Sequence, residues 1–250
     1  MTGYDGVTPA ALAARLGTPA LVCLAEVTST LDEVHRLAAR GAPAGTAVLA
    51  DRQTRGRGRQ GRVWQSPGGR GIWLAYLVRP AAAENGVLAL RAGLAVARAV
   101  EALGARPRVK WPNDVMLGDR KLAGVLCEAK WEEGRPAWVA IGIGINVKGP
   151  LPDGLVGLAA TLDEAVTASR VDLLARLLPA LHALPRGSEL GPDEREALAA
   201  RDWLCGRRLL EPVPGTAAGI DAAGGLLVET DAGTEVVVSG TVRLGAQEWL

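Results

Sequence analysis

The residues Gln53-Thr54-Arg55-Gly56-Arg57-Gly58-Arg59-Gln60-Gly61-Arg62-Val63-Trp64 concentrate the chemistry open to this chain. With Arg52 just before them, five arginines fall within eleven residues of a chain whose formal net charge is only +1. Guanidinium groups so close repel one another. A ligand carrying phosphate or carboxylate relieves that repulsion and gains bidentate, charge-assisted hydrogen bonds. Glycines at 56, 58 and 61 let the backbone turn and approach a ligand closely. The expectation is a loop that is mobile when empty and ordered when filled. Three other readings compete. Gly56-Arg57-Gly58-Arg59-Gln60-Gly61 has the spacing of a dinucleotide fingerprint, but Ser66-Pro67-Gly68-Gly69 reads as a turn where that fingerprint requires a helix. The run could be a solvated charged loop. It could also be an arginine–glycine segment for RNA, although only Trp64 is at hand for base stacking.

A second constellation is Lys110-Trp111-Pro112-Asn113-Asp114, followed by Arg120-Lys121-Leu122-Ala123-Gly124. On a hairpin, Asn113, Asp114 and Lys121 come to the same end of the sheet. A lysine entering an apolar strand is costly to bury alone, so Lys121 needs an anionic partner, either Asp114 in a structural ion pair or a substrate. The third is Ile141-Gly142-Ile143-Gly144-Ile145-Asn146, where alternate glycines remove two side chains from one face of a strand. That leaves either a slot for a flat ligand or room for close packing of another element.

These residues need elements to hold them. Leu12 and Leu16 suggest a short helix, Leu21 to Ala25 a strand, and Thr30-Leu31-Asp32-Glu33 a capped helix start in which Thr30 is the cap. That helix stops at Gly41 and Pro43. Thr46 to Ala50 and Gly71 to Val78 read as strands flanking the arginine loop, and Val87 to Leu103 as a long helix. Asp114 to Leu117 and Lys121 to Lys130 form a hairpin turning at Gly118-Asp119, and Trp138 to Val147 is a further strand. Helices dominate from Val171 to Leu204, with Pro179 inside the first. From Arg207 onward, short runs at Leu209 to Val213, Gly225 to Thr230 and Glu235 to Val238 suggest a small barrel. The predicted class is α+β: an SH2-like α/β unit with a mixed sheet over residues 1–204, and a small SH3-like β-barrel over 205–250.

Bulk properties narrow the function. A net charge of +1 excludes a general polyanion-binding tail, so any positive site is local. Cys23, Cys127 and Cys205 lack metal-ligand spacing, and with two histidines in the chain no metal-binding residues are assigned; reduced thiols point to a cytoplasmic protein. Met1 to Asp5 has no basic leader, and Arg91, Arg98 and Glu101 interrupt the longest apolar stretch, so no membrane association is expected. Phenylalanine is absent, and aromatic bulk comes from seven tryptophans and two tyrosines.

Taken together, the three motifs resemble the catalytic domain of the biotin protein ligases. The resemblance runs closely from Ala25 to Thr161 and weakly into Gly219-Ile220-Asp221-Ala222-Ala223-Gly224-Gly225-Leu226-Leu227, which is similar to a hairpin of that family. It implies an AMP-forming ligase that activates biotin with ATP to biotinyl-5'-AMP. The biotin then passes to a lysine of a biotin carboxyl carrier domain in a biotin-dependent carboxylase. By the same resemblance, Ser29, Thr30 and Gln53 bond the ureido end of biotin, Gly56 belongs to the biotin loop, and Gly142 and Gly144 floor the slot. Arg57 and Lys121 face the carboxylate and activated phosphate, with Lys110 stabilising charge and Asp114 orienting the incoming amine. Arg59, Arg62, Trp64, Lys110, Asn113 and Asn146 match nucleotide positions. Mg²⁺ is expected, held mainly by the phosphates and water. Leu31 stands where asparagine is common, and Gln60 interrupts a frequent basic pair. Too few residues precede the core for the helix-turn-helix of some members, so no specific DNA binding is expected, while an exposed strand edge leaves a homodimer possible. A lipoate protein ligase is the nearest enzymatic alternative; Ser29, Thr30 and Gln53 favour biotin.

Overall fold

The computed structural model describes residues 4–18, 20–79 and 85–245. A first helix, α1 (Pro9–Leu16), precedes a strand–helix–strand unit: β1 (Leu21–Val27), α2 (Thr30–Ala39) and β2 (Ala47–Gln53), with the two strands parallel. Every later pairing in the sheet is antiparallel. β3 (Gly71–Val78) is followed by α3 (Asn85–Glu101), then β4 (Pro107–Lys110), β5 (Asp114–Leu117), β6 (Arg120–Glu132) and β7 (Arg135–Asn146). The seven strands lie in the order β1-β2-β3-β7-β6-β5-β4. This is the mixed sheet that the sequence predicts.

β3 is buried along its whole length because both faces of the sheet are covered. On one face lies α3, whose Val87, Leu90, Leu94 and Val100 are buried together with Ala92, Ala95 and Ala99. A helix that buries apolar residues around most of its circumference needs cover beyond the sheet. α4 (Arg170–His182, containing Pro179) and α5 (Pro192–Ala199) supply it. On the other face, α2 sets Leu31, Val34 and Ala38 against Val48, Ala75, Leu77, Trp138 and Ala140. Ser29, rather than the expected Thr30, caps α2: its extended backbone turns the hydroxyl onto the Leu31 amide, while Thr30 is already helical. Glu33 pairs with Arg36 and does not close a capping box.

A second, antiparallel sheet follows, formed by β8 (Arg208–Glu211), β9 (Gly215–Ile220), β10 (Leu226–Thr230), β11 (Gly233–Val237) and β12 (Arg243–Leu244), in the order β11-β10-β9-β8-β12. The sequence reading missed β4, β9 and β12. β4 and β12 are short edge strands, and β9 is interrupted by a bulge opposite Leu227 and Val228. β4 is covered along its outer side by backbone bonds from Val109 to Arg201 and from Trp203 to Val109. Among the described residues, no helix is long and apolar enough to cross a membrane.

Candidate active site

The arginine segment is a narrow finger rather than the start of a helix, so its spacing is not a dinucleotide fingerprint. Gln53 bridges to Ser66 and Arg57 to Val63; Trp64 donates its amide to Gly56 O (2.9 Å), and Gly58 to Arg62 O (2.7 Å). The tip is a single 3-10 turn at Arg59–Gly61, with Gln60 and Gly61 at positive φ. The Gln53 side chain fastens the finger to α2. Its Oε1 accepts from the Thr30 amide (2.8 Å) and hydroxyl (3.0 Å), and its Nε2 donates to Ser66 Oγ (2.8 Å).

Between the finger, the start of α2 and the β5–β6–β7 part of the sheet lies a cavity of about 530 Å³, the size of a small-molecule site. Its floor follows from register. Asp114 pairs with Gly124, and Gly124 with Gly144. Directly opposed residues share a face, so a charged end and two missing side chains make a trough. The Trp64 ring lies in it: a methyl group at Gly144 would sit 2.4 Å from the ring, and one at Gly124 would sit 3.0 Å away. At Gly142 the neighbour is Leu31, at 2.9 Å. The alternate glycines therefore admit the protein's own side chains at this level while still lining the cavity. Trp64 Nε1 is buried without a hydrogen-bond partner among the described residues.

Lys121 Nζ stands 5.2 Å from the centre of the Trp64 ring and 2.6 Å from Asp114 Oδ1, off the hydrogen-bonding axis, so that Oδ1 receives no hydrogen bond. The ion pair considered from sequence is thus present, and Lys121 also fronts the cavity. Lys110 lies 5.0 Å from the Trp203 ring; burial lowers its pKa, Asp114 opposes that, and Lys121, Arg207 and Arg62 lower it further. Arg59 donates to Asn113 Oδ1 (3.2 Å), whose amide donates to Val125 O, and Asn146 Nδ2 is 3.5 Å from Lys121 O.

The loop arginines do not share one environment, which corrects the picture of a crowd in mutual repulsion. Arg52 pairs with Glu26 on the surface, and Arg57 is gripped by Glu128 and Asp32, while Arg59 and Arg62 reach the cavity without a carboxylate partner among the described residues. Every site residue expected from the sequence lines the cavity except Gly56. Gly56 packs inside the finger, where a methyl group would lie 2.3 Å from Trp64 O and 2.7 Å from Ser66 Oγ. The sequence reading gave no site role to Gly124 and missed Leu158 and the segment Gly240, Thr241 and Val242 between β11 and β12. Gly124 could have been found from its place opposite Gly144 in the hairpin register. Nothing local marks 240–242, which arrive through tertiary packing: Thr241 donates to Gln60 Oε1 (3.1 Å), and Trp111 Nε1 to Gly224 O (2.9 Å).

Among the described residues, five cations, Arg57, Arg59, Arg62, Lys110 and Lys121, and one carboxylate, Asp114, line the cavity. Such a site suits an anionic ligand with an apolar part. It does not suit a protein-held metal: no group of three His, Cys, Asp or Glu side chains converges among the described residues.

The model of the biotin/lipoate A/B protein ligase family matches residues 22–146, and that of the biotin protein ligase C-terminal domain matches residues 208–245. The chain is 36% identical over 234 residues to the bifunctional ligase/repressor BirA of Bacillus subtilis, covering 88% of this chain and 72% of that one. It is 34% identical over 248 residues to the biotin--[acetyl-CoA-carboxylase] ligase of Mycobacterium tuberculosis, covering 92% and 91%. The fold is similar to that of the biotin protein ligase from Aquifex aeolicus in complex with biotin and ATP, with a TM-score of 0.78 and 30% identity over 91% of this chain and 100% of the other.

Proposed function

Because the chain belongs to the biotin/lipoate A/B protein ligase family, we infer that it is a biotin protein ligase, and that the cavity under the arginine finger holds biotin, ATP and the adenylate made from them. The observation that carries this reading is the pairing of a glycine-floored apolar trough with five cations and, among the described residues, a single acid. That combination fits a flat, largely apolar acid joined to a nucleotide. The lipoate alternative is not favoured: the C-terminal match and the named relatives are those of biotin ligases. An RNA-binding role is not favoured either, because three of the five arginines, Arg57, Arg59 and Arg62, line the cavity.

Biotin's carboxylate is unreactive toward an amine until one oxygen becomes part of a leaving group. The carboxylate attacks the α-phosphorus of ATP in line and pyrophosphate departs, leaving biotinyl-5'-AMP. Negative charge grows on the non-bridging oxygens, and Lys121, Lys110 and Arg57 are the fixed donors assigned to it. Arg59, Arg62, Asn113, Asn146 and Trp64 are assigned to the nucleotide; Ser29, Thr30, Gln53, Gly142 and Gly144 are assigned to biotin. Gln53 spends its amide on Thr30 and Ser66, so we give it a share in shaping that end as well. An acceptor lysine amine then attacks the anhydride carbonyl; AMP leaves and the amine proton is lost, with Asp114 at the trough's end placed to orient the amine. Magnesium would enter with the triphosphate and would neutralise part of its charge.

The acceptor we propose is a biotin carboxyl carrier domain, the location cytoplasmic in keeping with three free thiols, and the division into units 1–204 and 205–250 in keeping with a second sheet that begins at Arg208. The outer limits of that division lie outside the described residues. Biotin-dependent exchange of pyrophosphate into ATP tests the first half-reaction. Exchange supported by lipoate as well as by biotin, or by neither, overturns the reading.

A further inference from the structure

Arg57 is the finger arginine that acids hold most firmly. It gives Nε to Glu128 Oε1 (3.1 Å), Nη2 to Glu128 Oε2 (3.0 Å) and Nη1 to Asp32 Oδ1. The two carboxylates are not equivalent. Glu128, on β6, is 30% exposed and has a partner behind it, His35 of α2, whose Nε2 lies 3.1 Å from Oε2. The proton in that contact can be assigned from chemistry alone. An indole nitrogen only donates, and Trp138 Nε1 sits 2.9 Å from His35 Nδ1. His35 Nδ1 is therefore the acceptor, and the imidazole hydrogen is on Nε2, directed at Glu128. Trp138, His35, Glu128 and Arg57 thus form one oriented chain running from the core of the α2 face to the cavity wall. Asp32 has no such support. It is 51% exposed and, apart from Arg57, hydrogen-bonds among the described residues only to the Thr28 hydroxyl, at 3.4 Å.

A guanidinium has five N–H donors. Glu128 takes the two on the Nε side and Asp32 takes one on Nη1, which leaves two for a ligand. A carboxylate or phosphate approaching the outer edge of the group meets Asp32 as a rival, both for Nη1 and through like-charge repulsion. Glu128 does not compete for that edge. It fixes where the edge points.

We propose that Glu128, held by His35 and Trp138, is a positioning residue that aims Arg57 into the cavity, and that Asp32 competes with the anionic ligand for Arg57. The proposal deepens the biotin-ligase reading by dividing the acids around one arginine into an aid and an opponent of binding. It rests on that reading for the ligand, though not for the geometry.

The two carboxylates should therefore act with opposite signs. Calorimetry with biotin and with a non-hydrolysable biotinyl-adenylate analogue measures Kd for wild type, Asp32→Asn, Glu128→Gln, Arg57→Ala and the Glu128→Gln/Arg57→Ala double variant. Losing an exposed competitor in Asp32→Asn should tighten Kd roughly two- to fivefold. Losing a charge-assisted bidentate hold in Glu128→Gln should loosen it roughly tenfold or more. Because Glu128 acts through Arg57, the double variant should bind no worse than Arg57→Ala. A general weakening of the fold would not produce this pattern. Weaker or unchanged binding by Asp32→Asn overturns the proposal, as does an undiminished Glu128→Gln effect when Arg57 is absent. If Glu128→Gln does not fold, the Asp32→Asn result decides alone. Failure of wild type to bind either probe would instead overturn the biotin-ligase reading.

Discussion

At the scale of single residues, Lys121 shows how one side chain serves both stability and chemistry. Its ammonium is neutralised by Asp114 and lies over Trp64, yet it faces the cavity that a phosphate would enter. Lys121→Ala should lower the rate of biotin-dependent ATP–pyrophosphate exchange by roughly 10² to 10³, the value of one preorganised electrostatic donor; an unchanged rate would remove it from the mechanism. Gly56 acts in a different way. It touches no ligand space, and any side chain there strikes the Trp64 carbonyl, so Gly56→Ser should shift the whole finger and speed release of biotinyl-adenylate, read by trapping with labelled ligand. Release as slow as in wild type would separate the finger from retention. The charged groups of the site were legible in the sequence because arginine density against a near-zero net charge is a local signal. The packing of Gly56 inside the finger, and of Leu31 against Gly142, was not. Both depend on partners that are distant along the chain or folded back upon it.

At the scale of elements, strong periodicity and clear turn residues made α2, α3, the Gly118-Asp119 hairpin and β7 readable. β4 was invisible: it has four residues, begins with a proline and owes its existence to pairing with β5 and to the 201–203 segment. Arg91 within the apolar α3 looked like an interruption of a helix face. It is 2% exposed and binds Glu194 of α5 through Nε and Nη2, with further donors on the carbonyls of Gly187 and Glu189. It fastens α5 and the 187–191 segment to α3. Arg91→Ala leaves Glu194 poorly solvated without its counter-ion, and should cost about 3–5 kcal/mol in urea unfolding. A loss below about 1 kcal/mol would show that water compensates the acid readily.

At the scale of the whole molecule, the second sheet closes the site as well as adding mass. Trp111 lines the cavity and gives its buried indole proton to Gly224 O, while Thr241 reaches the tip of the finger. The sequence announced a β-rich C-terminal region by its change of texture, and gave no sign of which residues would meet the site. Trp111→Phe keeps the apolar bulk but leaves the Gly224 carbonyl without its donor, at about 1–3 kcal/mol, or roughly 2–12 °C in Tm for a chain of this size. Calorimetric melting checks it, and an unchanged Tm would mean the two parts are held together by other contacts. Saturating biotin and ATP should raise Tm in both proteins by mass action.

The cavity wall is drawn from stretches as far apart as Ser29 and Val242. The cavity is therefore expected to lack part of its wall in a growing polypeptide until the residues around 240 have left the ribosome and docked, leaving an energy-rich anhydride without full shelter before then. Ribosome-bound chains stalled before Gly240 should show no biotin-dependent exchange, and activity in such chains would contradict this.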